Sequence, residues 1–93
     1  MKTYVHKLKF TDKESFDAWR KNNVSESIIT IVEIGLITEV NSIDENPVFV
    51  DGWHVDILAW SIIESLNPYL IITDNPIHGY GWAEPDYEIV KPV

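Results

Sequence analysis

Residues 27–40 read SIITIVEIGLITEV, and this stretch decides the fold class. Isoleucine, valine and threonine fill most of its positions, and β-branched side chains favour a strand over a buried helix. The stretch is long for one strand, so Gly35 predicts a bulge or bend. Residues 41–47 are polar and turn-forming, and residues 48–60 (VFVDGWHVDILAW) are extended again. The two stretches therefore predict a long antiparallel hairpin. If it is symmetric about Asp44, Gly35 faces Trp53, whose ring would cover the glycine.

A strand and a helix are predicted before this hairpin. Residues 3–10 alternate between apolar and charged side chains, which is the period of a half-buried strand. Thr11 and Glu14 have the spacing of a capping box, which predicts a helix over about residues 12–22. Its two core residues recur at helical spacing and are expected to pack on the sheet. The predicted contacts are Phe16 and Trp19 against Tyr4, Leu8, Phe10, Val55 and Ile57.

The segment after the hairpin predicts a second, shorter helix and a fourth strand. Ser61 and Glu64 repeat the capping-box spacing, and Pro68 ends the helix after about one and a half turns. Residues 69–73 are a short apolar stretch that predicts a strand. Residues 74–93 are aromatic and bounded by prolines, and we expect them to pack on the rest of a single domain formed by residues 1–93.

The order β-α-β-β-α-β matches the ferredoxin-like, split βαβ plan. The sequence thus predicts an α+β domain with a four-stranded antiparallel sheet. One full helix and one short helix would cover one face of that sheet. Other α+β meanders remain open alternatives.

Charge is distributed unevenly along the chain. The net charge is −8; residues 1–21 hold six bases and three acids, whereas residues 22–90 hold twelve acids and no Lys or Arg. Nucleic acids and anionic membranes require clusters of basic side chains, so neither is an expected partner. The acidic surface serves solubility or a basic partner.

There is no Cys, which excludes disulfides and thiolate metal sites. The charged first twenty residues do not resemble a signal peptide, which predicts a cytoplasmic protein.

Three residues form the best candidate for metal or acid–base chemistry. His54 and Asp56 share one face of a predicted strand, and Glu33 lies on the neighbouring strand. A metal-dependent hydrolase built on this set is the enzymatic alternative. The favoured interpretation places His54 and Asp56 on a solvated strand face without a catalytic role. We therefore predict no catalytic residue, no metal and no cofactor.

The loop His78-Gly79-Tyr80-Gly81-Trp82 is a second candidate. Two glycines among aromatic residues let a backbone approach a ligand closely. A phosphate loop, however, needs a helix N-terminus after it and usually a lysine, and here Ala83-Glu84-Pro85-Asp86 follows. The favoured interpretation is an aromatic segment folded back over the core.

Three stretches of the C-terminal half resemble a known group of proteins. They are Gly52-Trp53-His54-Val55-Asp56-Ile57-Leu58, Leu66-Asn67-Pro68-Tyr69-Leu70-Ile71 and Asn75-Pro76-Ile77-His78-Gly79-Tyr80-Gly81-Trp82, and they resemble a family of small uncharacterised proteins encoded by phages and prophages. The resemblance is strongest over residues 52–82. It implies a phage or prophage origin, hence a bacterial host cytoplasm or a virion, and a small accessory protein. It implies no catalytic residue.

The sheet face that the helices leave open gives the functional prediction. Even-numbered residues of both hairpin strands share that face, and they are mostly apolar. Apolar patches on small domains mark interfaces, so we expect a non-enzymatic protein–protein interaction or assembly module, as a homodimer or bound to another protein. The expected contact residues are Leu36, His54, Leu58, Trp60 and Trp82. The alternative is an acidic nucleic-acid mimic that inhibits a host DNA-binding protein.

Overall fold

A computed structural model describes residues 2–23, 25–40, 47–73, 76–78 and 86–92. These residues form four strands, one α-helix and two 3-10 helices. In chain order they are β1 (Thr3–Phe10), α1 (Lys13–Asn22), β2 (Ile28–Val40), β3 (Pro47–Ala59), the first 3-10 helix (Glu64–Tyr69), the second 3-10 helix (Pro76–His78) and β4 (Tyr87–Ile89). The chain therefore has an α+β fold, as predicted.

The four strands form one mixed sheet in the order β2-β3-β1-β4. β3 lies between β2 and β1 and is antiparallel to both, whereas β4 is parallel to β1. The all-antiparallel, ferredoxin-like sheet is therefore not confirmed. The difference arises along the outer edge of β1. Leu70 makes one antiparallel bridge with Leu8, and β4 then pairs with residues 3–5 in the opposite sense.

The predicted fourth strand over residues 69–73 is thus reduced to a single bridge. The N–H of Ile71 donates to the Lys7 carbonyl oxygen at 2.9 Å, which fastens this segment beside the second half of β1. The first half of β1 pairs instead with β4, and just after β4 the N–H of Val90 donates to the Val5 carbonyl oxygen at 2.9 Å. Two short segments therefore share one edge.

Helix α1 begins one residue later than the capping-box spacing predicts. Asp12 has an extended backbone, and its carboxylate accepts from the Ser15 N–H at 2.8 Å. Thr11 is therefore not the N-cap, and the predicted capping box is wrong. The buried side of the helix carries Phe16 and Trp19, as the helical spacing predicts.

The hairpin of β2 and β3 contains the predicted irregularity at Gly35. The register shifts on both sides of this glycine, whose φ is +84°. Its Cα partner is His54 and not Trp53, so the symmetric register is wrong by one residue. The Trp53 ring nevertheless covers the glycine, because a Cβ built there would lie 3.1 Å from the ring. Gly52 also has a positive φ, +96°, and a Cβ there would lie 2.9 Å from the Phe10 carbonyl oxygen.

The main core lies between the sheet and α1. Ring centroids of Phe10 and Phe16 are 5.2 Å apart, and Phe10 stacks on Tyr69 at 4.1 Å. The predicted packing of α1 on β1 and β3 is confirmed. The buried cluster comprises Leu8, Phe10, Phe16, Trp19, Val55, Ile57, Leu66, Leu70 and Val90, with Tyr4 packed against it.

The first 3-10 helix closes the same face. It begins at Glu64 without a side-chain cap and contains Pro68, so the predicted capping by Ser61 and the stop before proline are wrong. Its Leu66 is fully buried in the core. Ser65 accepts from the Trp19 indole N–H at 3.1 Å, which fixes this helix to α1.

Candidate functional site: a buried Asp-His-His chain and an open edge strand

The sheet face opposite α1 carries a buried histidine and a buried carboxylate. His54 and Asp56 alternate along β3, so both point away from α1. They are 3% and 0% exposed. The prediction that they lie on a solvated face is therefore wrong. Burial of a carboxylate beside a ring nitrogen is costly unless both are hydrogen-bonded, so their partners determine what this site is.

His78, from the second 3-10 helix, is that partner. Its Nδ1 lies 2.6 Å from Asp56 Oδ1, and its Nε2 lies 2.8 Å from His54 Nδ1. His54 Nε2 in turn lies 2.9 Å from the Asp51 carbonyl oxygen. His78 is 1% exposed. The four groups form one continuous hydrogen-bonded chain, which we call the Asp-His-His chain (Asp56, His78 and His54, ending at the Asp51 carbonyl).

The ends of the chain fix the number of hydrogens it holds. The Asp51 carbonyl oxygen only accepts, so His54 Nε2 carries a hydrogen. Three links need three hydrogens, one each for Asp56–His78, His78–His54 and His54–Asp51. With Asp56 ionised, the two rings hold all three, so the chain contains one imidazolium and one carboxylate and has no net charge.

The surroundings favour a neutral His54. Burial lowers the pKa of His54 more than the hydrogen bond to the Asp51 carbonyl raises it, and the charges of His78 and Lys9 lower it further. A neutral His54 with its hydrogen on Nε2 accepts at Nδ1 from His78. With Asp56 ionised, His78 then donates through both ring nitrogens, and its Nδ1 lies 2.6 Å from the buried Asp56 carboxylate.

One atom of the chain lacks a hydrogen-bond partner among the described residues. Asp56 Oδ2 is buried and accepts nothing there. On the neighbouring strand, Lys7 is the Cα partner of Asp56 and Lys9 is that of His54, so both lysines belong to this sheet face. The charges from β1 are therefore positive, and they oppose any additional proton on the chain.

His6 is a third buried histidine, on the face of the sheet that α1 covers. Its Nδ1 donates to the Ile57 carbonyl oxygen at 3.1 Å, and its Nε2 accepts from the Ile63 N–H at 3.1 Å. Burial lowers the pKa of His6, against the raising effect of the backbone hydrogen bonds. This ring is thus neutral and fixes the start of the first 3-10 helix to β1.

The predicted triplet of His54, Asp56 and Glu33 is not brought together. Glu33 is paired with Val55 across the hairpin, so it lies on the face of α1, where it accepts from the Trp53 indole N–H at 3.0 Å. Among the described residues no group of three or more histidine or acidic side chains is arranged to hold a metal ion. Glu33 therefore lies on the opposite face from His54 and Asp56, and the three residues proposed for a metal-dependent hydrolase do not form one site.

The expected contact residues fall into three groups. Leu36 and Trp60 are exposed, at 59% and 45% of their surface. His54 and Leu58 are buried, so their side chains are not part of the surface. Trp82, like the rest of the loop 79–82, lies outside the described residues.

The other notable feature is the free edge of β2. This strand pairs only with β3 within the described part of the chain, so its outer edge is open. The N–H of Trp60 donates to a carbonyl oxygen just before β2 at 2.8 Å, so even-numbered residues of β3 direct their backbone groups to β2. Their β2 partners are Thr30 and Val32. By alternation, Ile31 and Glu33 direct N–H and C=O groups to the free edge.

Sequence reasoning missed His78 as the partner of this site. The alternation of His54 and Asp56 indicated a shared face, but nothing in the spacing of residues 76–78 indicates which strand they contact. Comparisons with known proteins add no further candidate, because no family model, curated protein or solved structure matches the chain. None of the described helices has the length and apolar character needed to cross a membrane.

Proposed function

We propose that this protein is a non-enzymatic interaction module that binds another protein by extending its sheet at β2. The open edge of this thirteen-residue strand is the observation that carries the proposal. Unpaired N–H and C=O groups along such an edge are a template for a further strand. Natural edges are blunted by charged side chains, above all lysine, by prolines, by β-bulges or by a covering element. Of these, β2 has Glu33 and the bulge at Gly35. β2 contains no lysine and no proline.

The charge around this edge favours a basic partner. Residues 22–90 contain no Lys or Arg, so every formal charge on β2 and β3 is negative. The basic side chains near β2 come from α1: Arg20 lines a cavity with Ile28 and Ile31, and Lys13 interacts electrostatically with Glu33. Glu33 is exposed and stands on the edge itself. A second copy of the chain would bring a net charge of −8 against another −8. An extended segment with alternating basic and apolar side chains matches both the backbone groups and the charge.

The exposed apolar side chains on and beside β2 add to this surface. Ile29 and Leu36, both on β2, are 38% and 59% exposed. Trp60 follows β3 directly, and its N–H bonds to the residue before β2. Aromatic and aliphatic side chains of this kind supply the contacts that alternate with backbone hydrogen bonds when a strand is added.

A synthetic peptide tests the proposal directly. The probe is nine residues of alternating valine and lysine, and the control peptide has glutamate in place of lysine. We expect the valine–lysine peptide to shift amide NMR signals of residues 28–37, with an affinity that falls as salt is added. The valine–glutamate peptide should produce no shift. Absence of shifts with both peptides, or equal binding of both, would overturn the proposal.

Two substitutions at Glu33 distinguish the contribution of the side-chain charge to peptide affinity from that of the backbone N–H. Glu33→Gln removes the charge alone, and we expect a several-fold loss of affinity. Glu33→Pro also removes the outward N–H while leaving the hydrogen bonds between β2 and β3, and we expect at least a tenfold loss. Glu88→Gln, the same charge change on β4 at the far edge, is the matched control and should leave binding unchanged. A Glu33→Pro variant that binds as tightly as Glu33→Gln would contradict strand addition.

The homodimer predicted from the sequence can be tested with the same Glu33→Pro variant. Light scattering at high protein concentration measures the mass of the free chain. A dimer that Glu33→Pro separates would mean that β2 pairs with a second copy, and this outcome would replace the basic partner.

An accessory role in a phage or prophage fits a small module of this kind, and the resemblance over residues 52–82 is what supports it. Nucleic-acid mimicry is less well supported. It needs rows of carboxylates on one face, whereas Asp56 is buried and Glu33 and Glu88 belong to strands at opposite edges of the sheet. Glu88 also lies 3.5 Å from the Lys2 ammonium group.

A further inference from the structure

We propose that the Asp-His-His chain is a pH-sensitive latch, which holds the second 3-10 helix on β3 most firmly near pH 6.5 and releases it as the pH falls. The latch consists of the hydrogen bonds at 2.6 and 2.8 Å that His78 makes to Asp56 and His54. These two bonds join His78 directly to the strand. Release would expose the buried side chains of His54 and Asp56.

Hydrogen counting gives the reason for release in acid. The closed chain has three places for hydrogens and all three are filled. A fourth on His54 Nδ1 would face the hydrogen on His78 Nε2 and break the link between the rings. A fourth on Asp56 Oδ2 would be a buried donor without an acceptor among the described residues.

The charges around the latch act in the same direction. An added proton would give the chain a net positive charge, facing Lys7 and Lys9 of β1. β2 offers Val32 and Gly35 opposite Asp56 and His54, which carry no charge. The one described carboxylate next to the chain is Asp51, whose side chain is 93% exposed and lies 3.4 Å from Lys9. The Asp51 charge favours a fourth proton on His54 less than the charges of His78 and Lys9 oppose it.

The open form has no such restriction. Released rings take up protons near the ordinary histidine pKa of 6.5, so below this pH the open form holds four ring hydrogens against three in the closed form. Above pH 6.5 the released rings hold two hydrogens against three in the closed form, so closure is most favoured near pH 6.5. Below this pH the lowered pKa of His54 in the closed form acts in the same direction as the hydrogen count, and closure loses its advantage as the pH falls. Well below pH 6.5, one extra proton raises the ratio of open to closed forms tenfold per pH unit.

The experiment measures this ratio by saturation-transfer NMR at the Ile77 and His78 amides. Between pH 6.5 and 4.5 we expect the ratio of open to closed forms to rise about 25-fold in the wild-type chain. Ring ¹⁵N shifts should place the His54 hydrogen on Nε2 at pH 6.5. A ratio that changes less than twofold, or a hydrogen on His54 Nδ1 at pH 6.5, would overturn the proposal.

Variants separate the latch from general acid sensitivity. His54→Asn keeps an acceptor near the position of Nδ1 but takes no proton, so the rise should disappear. In Asp56→Asn the amide can donate to His78 with both rings neutral, so the rise should steepen toward a hundredfold per pH unit. His6→Gln keeps an acceptor for the Ile63 N–H on the other face and should retain the wild-type rise. Equal pH responses in the wild type and His54→Asn would contradict the latch, and the unmutated chain tests it if a variant fails to fold.

Discussion

The two faces of the sheet differ in the chemistry that closes them. Toward α1, aromatic and aliphatic side chains pack together, with Phe10 in contact with Phe16 and Tyr69. On the other face, hydrogen bonds join Asp56, His78 and His54 beside the buried Val5 and Leu58. The first face depends on buried apolar area, which is insensitive to direction and to pH. The second depends in addition on the number of hydrogens in the Asp-His-His chain, so the two faces should respond differently to acid.

Removing an aromatic side chain from the apolar face should have the largest effect. Trp19 is 6% exposed, lies 6.3 Å from the Phe10 ring and donates to Ser65. Trp19→Ala should lower the free energy of unfolding by about 3–5 kcal/mol, because a cavity and an unpaired hydroxyl replace the indole. Urea denaturation measures the change.

Trp60→Ala is the matched control for that substitution. Trp60 is the same residue type but is 45% exposed, so its loss should cost less than about 1 kcal/mol. Similar midpoints for Trp19→Ala and the wild type would contradict the assignment of this face as the main core.

On the polar face a smaller effect is expected. Asp56→Ala removes the acceptor of His78 and leaves a buried donor without a partner, which should cost about 1–3 kcal/mol. Asp56→Asn should cost less than half as much, because the amide can turn its NH₂ group toward His78. Both values come from chemical denaturation at pH 6.5.

Asp51→Asn is the control on this face. Only the backbone carbonyl of Asp51 belongs to the chain, and its exposed carboxylate pairs weakly with Lys9, so stability should not change measurably. An Asp56→Ala variant as stable as Asp51→Asn would mean that the buried hydrogen bonds add nothing to the fold.

The same contrast explains what the sequence could predict. The long β-branched stretch, the bulge at Gly35 and the packing of Phe16 and Trp19 are all periodic patterns within single elements. Each pattern lies within one element and repeats along it. It therefore predicts the element correctly even though the predicted register of the β2–β3 hairpin is wrong by one residue. The apolar face was predicted for this reason.

The polar face and the sheet edge depend on single contacts between distant segments. β4 has three residues, too few for a pattern, and it shares the β1 edge with Leu70, which bridges Leu8. His78 reaches His54 from 24 positions away through one hydrogen bond. Neither relation leaves a periodic signal, so the mixed sheet and the Asp-His-His chain could not be derived from spacing.

The smallest effect is expected at the N-terminus of α1. Substitutions there measure how much the N-cap contributes to the stability of the helix that packs on the apolar face. The structure assigns the cap to Asp12, which accepts from Ser15 at 2.8 Å, whereas the capping-box spacing favours Thr11. Asp12→Ala should lower the melting temperature slightly, and Thr11→Ala should leave it unchanged. The hydrogen bond to Ser15 also lowers the pKa of Asp12, so the difference between the two variants should vanish in strong acid, where the carboxylate is protonated. A larger effect from Thr11→Ala would restore the capping box. Equal melting temperatures at neutral pH would mean that packing of Phe16 and Trp19 alone holds the helix in place.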